Sequence, residues 1–414
     1  MQKSGGAAIL MQNSSEQLKT TDISYRLGSA DTLNEMLKVP PFKIFDEKII
    51  NFLNDLSRNI LKNKAAKAYP DVMTFGFWCR RSSIETLKKP YDSLSHALGR
   101  GIAFHIAPSN VPVNFAYSMV VGLLAGNANI VRLPSKPFEQ VEILIQAINQ
   151  TLKDEKHCHL KPYFLLVQYG HQEAVTNIFS RVCDTRIIWG GDQTIQTIRK
   201  APLKTRATEI TFADRYSLAV IDADTYLKAD HKADIANAFY NDTYLTDQNA
   251  CTSPRMVFWI GQETEKAREI FWEQLYQKVK TDYAIQPVQA VSKRTSLMEL
   301  AATYENTKQI PTKDNRLIRI QVDEVKADLL QYRNNSGYFM ECVIKRFEEM
   351  LPICNQSQCQ TLSYYGPLKE KLMDFIFEHK PKGVDRVVPM GKTMDFELIW
   401  DGYDLIRCLS RIVN

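Results

Sequence analysis

Cys251 stands in Asp247-Gln248-Asn249-Ala250-Cys251-Thr252-Ser253-Pro254-Arg255, a small-residue turn between a polar helical stretch, Ala233 to Tyr244, and an apolar strand-like run, Met256 to Ile260. A thiol on a tight loop at the mouth of a strand is open to substrate and to the polar surroundings its thiolate needs, whereas a thiol inside an apolar period is packing. Upstream, Pro108-Ser109-Asn110-Val111-Pro112 holds one amide side chain between two prolines that fix the backbone. A rigidly held Asn can donate hydrogen bonds to a developing oxyanion, and the two segments together point to acyl chemistry on sulfur. Taken alone, Asn110 reads equally well as a turn asparagine bonding its own backbone.

The elements that would carry these segments follow from hydrophobic periodicity. From Ala103 to Val131 there is no Asp, Glu, Lys or Arg, a length that would suffice for a membrane span of roughly 20 apolar residues. Pro108, Pro112 and the asparagines and serines in the same stretch argue against a span. It reads instead as a buried strand (Gly101 to Ala107), a polar turn, a buried helix (Phe115 to Leu124) and a second buried strand (Asn129 to Leu133). The alternation continues with a helix carrying Val141, Leu144, Ile145, Ile148 and Leu152, a strand Tyr163 to Tyr169, a helix from Gln172, a strand Thr185 to Trp189, and a helix opened by Gly190-Gly191-Asp192. Such a pattern predicts a parallel, doubly wound sheet. Ahead of it, Asp46 signals the start of an amphipathic helix through Ile49, Ile50, Phe52, Leu53, Leu56, Ile60 and Leu61. A second segment begins near Glu209 and runs through Cys251, a strand Arg255 to Ile260 and a long helix Thr264 to Val279 to a block around Asp385 to Asn414.

Size and composition bound the rest. A chain of 414 residues suits two domains. Hydrophobic residues at 44% and charged residues at 24% are ordinary for a soluble globular protein and argue against dominant disorder. The formal charge of +5, from 52 basic against 47 acidic residues, is spread without a Lys/Arg block, which gives nucleic-acid binding little support and suits an anionic small-molecule substrate equally well. The cysteines form no C-x-x-C pair and no secretory leader precedes them, so a reducing cytoplasm is the expected setting. Neither His157-Cys158-His159 nor the pair Cys354 and Cys359 completes a four-ligand site, and no metal is expected.

Common cofactor and hydrolase motifs are missing. Gly99-Arg100-Gly101 is followed by Phe104 where the third Gly of G-x-G-x-x-G would stand. Gly391-Lys392-Thr393 has Arg386 in place of the first Gly of a P-loop. No G-x-S-x-G or H-E-x-x-H occurs, which disfavours a serine hydrolase or a zinc protease.

Ile106-Ala107-Pro108-Ser109-Asn110-Val111-Pro112 and Gly122-Leu123-Leu124-Ala125-Gly126-Asn127 resemble the P-W-N-F-P turn and A-A-G-N helix end of the aldehyde dehydrogenase superfamily, and Gln248-Asn249-Ala250-Cys251 resembles its catalytic G-Q-x-C segment. More specifically, Asp214-Arg215-Tyr216-Ser217, Asp247 to Pro254, Gln360-Thr361-Leu362-Ser363-Tyr364-Tyr365-Gly366, Asp385-Arg386-Val387-Val388-Pro389 and Trp400-Asp401-Gly402-Tyr403 resemble the fatty acyl-CoA reductase family known from bacterial bioluminescence. The resemblance runs from about residue 95 to the C-terminus.

Residues 1–25, polar and small with no apolar period, read as a flexible tail. The resemblance implies an α/β, aldehyde dehydrogenase-like fold: a nicotinamide dinucleotide-binding domain at 26–215, a catalytic domain at 216–384, and a C-terminal segment at 385–414 returning to the cofactor domain or joining an oligomer interface. It also implies transfer of an acyl group to Cys251 and hydride reduction of the acyl-enzyme to an aldehyde, with Asn110 and the Cys251 backbone amide as oxyanion donors. Pro108 would lie by the cofactor. Arg132-Leu133-Pro134-Ser135-Lys136 resembles the superfamily's L-K-P-S-E, where Lys and Glu face the adenosine ribose. One register puts Ser135 on the Glu and another puts Lys136 there; either way the carboxylate is gone, and with Arg132 beside it the site favours NADPH over NADH. Arg132 and Lys136 read alternatively as solvated strand ends. Gly190 resembles the glycine that opens a helix at the cofactor's pyrophosphate.

Departures from the pattern sharpen the expectations. The superfamily's general-base Glu falls near Glu209, but the Gly-Gly that follows it is missing, leaving Glu209 as a proton shuttle or a plain strand residue. The carboxylate that grips the nicotinamide ribose has no counterpart in Gln360-Thr361-Leu362-Ser363. The leading expectation is an NADPH-dependent reductase of acyl-CoA or acyl-protein, a homo-oligomer with an acyl-protein synthetase or acyltransferase as partner. Its rivals are an oxidising aldehyde dehydrogenase, a catalytically silent scaffold for an acyl-activating partner, and a weakly basic nucleic-acid module.

Overall fold

The apolar strand segments condense into two mainly parallel sheets, one in each of two units of the chain. The computed structural model describes residues 23–414. One unit takes the chain up to Ala213 together with Phe396–Asn414; the other is Asp214–Asp395. The expected tail at 1–25 lies outside the described residues as far as position 22, and its last residues are not a tail, because Ser24 and Tyr25 pair with Gln168 and Val167.

The first unit contains strands β1 (Ser24–Leu27), β2 (Ala97–Gly99), β3 (Ile102–Ile106), β4 (Ala128–Arg132), β5 (Phe164–Gln168), β6 (Thr185–Trp189) and β7 (Thr208–Phe212). Its main sheet has the order β1-β5-β4-β3-β6-β7, parallel throughout except for β1 on the edge. The chain winds outward from β3 through β4 to β5, then returns to the other side of β3 as β6. Strand order therefore reverses at β3/β6, the place where doubly wound sheets take ligands beyond their carboxyl ends.

Helices cover this sheet where the 3.6-residue period foretells them. Glu47–Lys62 is capped by Asp46, which accepts from Lys48 N at 3.0 Å, and buries Ile49, Ile50, Phe52, Leu53, Leu56 and Ile60. Each such side chain contributes about 2 kcal/mol. The buried helix Asn114–Leu124 stops at Gly126, whose φ of +90° turns the chain so that its N–H reaches Leu123 O at 2.9 Å. A Cβ there would stand 2.2 Å from Phe42 O. Asn127 follows, fully buried, and donates to Leu409 O at 2.9 Å, tying the C-terminal segment to the helix end.

A polar chain crosses this core without an unmet group. Asn129 turns its Nδ2 to Asn127 O (2.8 Å), so its Oδ1 is left to accept from His105 Nε2 (2.9 Å). His105 Nδ1 then accepts from Ser118 Oγ (2.7 Å), which accepts in turn from Trp189 Nε1 (3.0 Å). Burial pushes the His105 imidazole down to about 4, and this neutral tautomer satisfies every partner.

The second unit contains β8 (Tyr216–Asp222), β9 (Pro254–Ile260), β10 (Thr307–Ile310), β11 (Ile318–Val322), β12 (Tyr338–Val343), β13 (Cys359–Tyr365) and β14 (Arg386–Pro389), in the order β10-β11-β12-β9-β8-β13-β14. Only β10 runs antiparallel. β14 pairs with β13, so the segment expected to leave this domain at residue 385 stays in it, and the return to the first unit begins at Phe396. One buried carboxylate organises the centre: Glu341 on β12, fully buried, accepts from Arg268 Nε, Arg319 Nη2, Trp259 Nε1 and Trp272 Nε1 at 3.1, 2.8, 3.2 and 2.8 Å. Among the described residues no helix is long and apolar enough to cross a membrane, and no His/Cys/Asp/Glu group could hold a metal ion.

Candidate active site

Because the strands of the first unit run parallel, every loop at their carboxyl ends emerges on one edge. Pro108 and Asn110 lie in the turn after β3, Ser135 and Lys136 in the turn after β4, and Gly190 directly after β6. Asn110, Ser135 and Lys136 are exposed. Arg132, the last residue of β4, lays its guanidinium 4.6 Å over the Tyr169 ring and donates to Gly170 O at 2.7 Å. Two buried oxygens on this edge, Asn114 Oδ1 and Gln172 Oε1, have no hydrogen-bond partner among the described residues. Asn114 follows β3 at the topological switch point, and an orphaned acceptor there is what a polar ligand would satisfy. A side chain at Gly190 would press on Thr194 at 3.2 Å, while beside Gly191 there is open space, so the entry to the helix Asp192–Arg199 is uncluttered.

Glu209 belongs elsewhere. It is the second residue of β7, paired in register with Arg186 near the amino end of β6, on the opposite edge from Asn110. Its oxygens accept from Arg186 Nε at 2.8 Å and Arg199 Nε at 2.7 Å. A carboxylate shared by two guanidinium groups is a strut, and of the two expectations for Glu209 its contacts favour the strand residue.

In the second unit Cys251 lies just before β9, at the amino edge of the sheet, on a loop held in an uncommon shape. Asp247 and Gln248 both take left-handed backbone conformations, with φ of +52° and +56°; each costs on the order of 1 kcal/mol outside glycine. The Gln248 side chain, fully buried, offsets that cost. Its Oε1 accepts from Gly337 N and Tyr338 N at 3.0 and 3.2 Å, and its Nε2 donates to Pro254 O at 2.9 Å. Asp247 accepts from Tyr283 Oη and from Gln289 Nε2 (2.7 Å), and buried Lys293 donates to Ser336 O at 2.5 Å and to Asn315 O. The loop is clamped on both sides before any substrate arrives.

Cys251 is half-buried, whereas burial pushes up the thiols of Cys79, Cys183, Cys342 and Cys359 in the two cores. Ser217 Oγ donates to Cys251 O at 2.8 Å, and Gln360 Nε2 donates to Cys251 Sγ at 3.5 Å. Of these contacts the one to the sulfur is made by Gln360, which strand pairing brings there from far along the chain, so spacing in the sequence does not foretell it. A sulfur with limited access, a fixed amide donor and a stiff backbone is equipped to be a nucleophile.

A family model described as Acyl-CoA reductase (LuxC) matches residues 21–413. Long-chain acyl-protein thioester reductase 2 of Photobacterium leiognathi is 23% identical over 334 residues, covering 77% of this chain and 64% of that protein. The long-chain acyl-protein thioester reductase of Vibrio harveyi is 24% identical over 330 residues, with coverage of 77% and 64%. The chain thus spans 64% of the length of each of these relatives. Among solved structures, glyceraldehyde-3-phosphate dehydrogenase from Methanocaldococcus jannaschii, complexed with NADP, aligns with a TM-score of 0.63 at 16% identity, covering 99% of this chain and 93% of that one. Methylmalonate-semialdehyde dehydrogenase from Oceanimonas doudoroffii aligns at 0.64 and 9% identity, covering 97% and 88%. The fold is that of the aldehyde dehydrogenases.

Proposed function

The chain belongs to the acyl-CoA reductase family, and from that premise we propose that it reduces a long-chain acyl thioester, carried by CoA or by a protein, to a fatty aldehyde with NADPH through an acyl thioester on Cys251. The observation that carries the reading is the clamped loop, which presents one half-buried sulfur to a fixed amide donor. Attack by the Cys251 thiolate forms a bond from Sγ to the acyl carbon and releases the donor's thiolate. One thioester replaces another, so the barrier is the tetrahedral oxyanion rather than the overall energy. The Cys251 backbone amide and the Asn110 carboxamide are its proposed donors. A bound nicotinamide supplies the hydride for the second step, after which the carbon–sulfur bond breaks, its electron pair returns to Sγ, and the aldehyde leaves.

Asn110→Ala is expected to lower the rate of aldehyde formation about a hundredfold, as the loss of one oxyanion donor does. Steady-state kinetics with long-chain acyl-CoA and NADPH measure this. An unchanged rate would return Asn110 to the role of a turn residue.

Arg132, with Ser135 and Lys136 beside it, supports the preference for NADPH. Its guanidinium is held in place by the Tyr169 ring and the Gly170 carbonyl, and neither exposed neighbour carries a negative charge to repel a 2′-phosphate. Pro108 shapes the adjoining turn, and Gly190, with open space beside the next residue Gly191, leads into the helix start at which the pyrophosphate would lie. For Arg132→Leu, the ratio of kcat/KM with NADPH to that with NADH should fall about tenfold. A ratio that does not move would make Arg132 a solvated strand end.

The proposed reduction needs no general base to activate water, which accords with Glu209 being tied to two arginines. It is tested by incubating the protein with long-chain acyl-CoA and with acyl-protein. NADPH consumption with either donor, matched by aldehyde, supports the reading; none with any acyl donor removes it. A homo-oligomer in a reducing cytoplasm, served by an acyl-activating partner, completes the proposal.

A further inference from the structure

Two irregularities in the second unit's sheet flank the cysteine loop. Between Tyr216 and Leu218 on β8, two steps, the neighbouring β13 takes three, from Cys359 to Leu362. Between Ser217 and Leu218, one step, β9 takes two, from Pro254 to Met256. The first extra residue falls at Gln360–Thr361 and the second at Arg255. Bulges re-aim side chains that a regular strand would send elsewhere, and these two lie on adjacent pairings at the edge where Cys251 stands.

We infer that Gln360 and Arg255 hold the Cys251 sulfur as its thiolate, Gln360 by donating a hydrogen bond to it and Arg255 by placing a buried positive charge nearby. The inference uses the proposed function only in taking Cys251 as the reacting thiol.

Gln360 is fully buried, with its Nε2 3.5 Å from Sγ and its Oε1 3.5 Å from Ser217 Oγ. Facing the serine, the amide oxygen leaves the NH2 group for the sulfur. A thiol sulfur is a weak acceptor and a thiolate a strong one, so a fixed N–H donor favours the ionised form.

Arg255 is 6% exposed. Its Nη1 donates to two neutral oxygens, Asn334 O at 2.9 Å and Asn335 Oδ1, and its Nε has no hydrogen-bond partner among the described residues. No carboxylate among the described residues lies within ion-pair distance of it. A buried cation without an anion of its own is destabilised, and a thiolate on the adjoining loop offsets part of that. Burial and Arg333 work against the Arg255 charge, while Asp214, Cys251 and Asp247 work for it. Of the charges around the loop, Asp247 opposes a thiolate, but Tyr283 and Gln289 bond its oxygens and the buried Lys293 lies behind it. Arg333 is paired with Asp214 at 2.5 Å. Arg255 and Lys293 are the buried cations of the group without a carboxylate partner; Lys293 is spent on two carbonyls, and Arg255 stands on the strand that the Cys251 loop leads into.

The same two residues serve both halves of the reaction. A stabilised thiolate is ready to attack the acyl donor, and it is also the better leaving group when the reduced adduct breaks its carbon–sulfur bond.

The test is alkylation of the intact protein by iodoacetamide across a pH series, with the Cys251 peptide quantified by mass spectrometry. In the native chain the pH of half-maximal rate should lie at least one unit below that of the same cysteine in the urea-unfolded chain. Gln360→Leu and Arg255→Met should each raise the native value by about one unit, with folding checked by circular dichroism. A native value at or above the unfolded one overturns the inference without recourse to any variant, and so does an unchanged value in either folded variant. Alkylation uses neither acyl donor nor nicotinamide, so failure to make aldehyde would sink the proposed function while leaving this result standing, and the reverse.

Discussion

Cys251→Ala should lose aldehyde formation by more than about a thousandfold while the protein remains folded, because the reaction then has no sulfur to carry the acyl group and removal of a covalent nucleophile costs at least that much. The decisive readout is covalent. Incubated with a radiolabelled long-chain acyl donor and no nicotinamide, the wild-type chain should retain label on the Cys251 peptide and the variant should retain none. Label that persists in Cys251→Ala, or falls on another cysteine, would move the chemistry elsewhere. Cys158 is an exposed thiol and therefore a meaningful control. The half-buried position of Cys251 predicts slower but substrate-dependent labelling. If neither protein is labelled and NADPH is never consumed, the scaffold reading takes over.

Glu341→Ala should destabilise the second unit by about 3–5 kcal/mol, the range found when one partner of a buried ionic cluster is removed. Arg268 and Arg319 would be left buried with no anion, and the indole N–H groups of Trp259 and Trp272 would lose their acceptor. In a scanning calorimeter that corresponds to a fall in melting temperature of roughly 10 °C for a unit of this size. Acid should reproduce part of the effect in the wild type. Burial pushes the Glu341 carboxyl up, but Arg268 and Arg319 outweigh it and hold the group below its ordinary 4.5. A depressed carboxylate adds stability above its unfolded value, and that stability is lost as pH falls from there through the folded value. The wild type should therefore lose stability below about pH 4.5, and the variant should lose less over the same range. Equal acid sensitivity in the two proteins, or a melting temperature within a degree or two of wild type, would contradict the assignment.

Strands β3, β4, β5 and β6 of the first unit are legible because each is a short apolar run between polar turns, whereas β1 and β2 carry no such run. Thr185–Trp189 coincides with its expected span, and β3, β4 and β5 differ from theirs by a residue at each end. Asp46 marks its helix start because a cap is a local device. Legibility fails where a contact is made by pairing at long range. The bulges at Gln360 and Arg255 exist only relative to β8, so no spacing along the chain foretells them. Glu209 could be read as a base until Arg186 and Arg199 closed on it, and Arg199 comes from a different element. The helix Pro287–Thr303 left no amphipathic signature because Val288, Val291 and Met298 face outward while Lys293 is buried. β10 escapes the sequence for a related reason: Lys308 and Gln309 are exposed and Ile310 is its one apolar residue, which leaves little pattern.

Asn127 grips Leu409, Arg100 donates to Cys408 O at 2.8 Å, and strand β2 pairs with Ser410–Ile412. Residues on both sides of the Asp214–Asp395 unit are thus needed to finish the other one. During synthesis the ribosome delivers the inner unit as one uninterrupted stretch, free to acquire its structure as soon as it emerges. The outer unit must wait, with its sheet already made but its closing strand not yet translated. Buried Asn127 keeps its longer bond to Gly122 O at 3.3 Å, but the shorter one to Leu409 O forms only after residues 408–412 have left the exit tunnel. Completion of the outer unit therefore depends on residues 408–412, far along the chain from both Asn110 and Cys251.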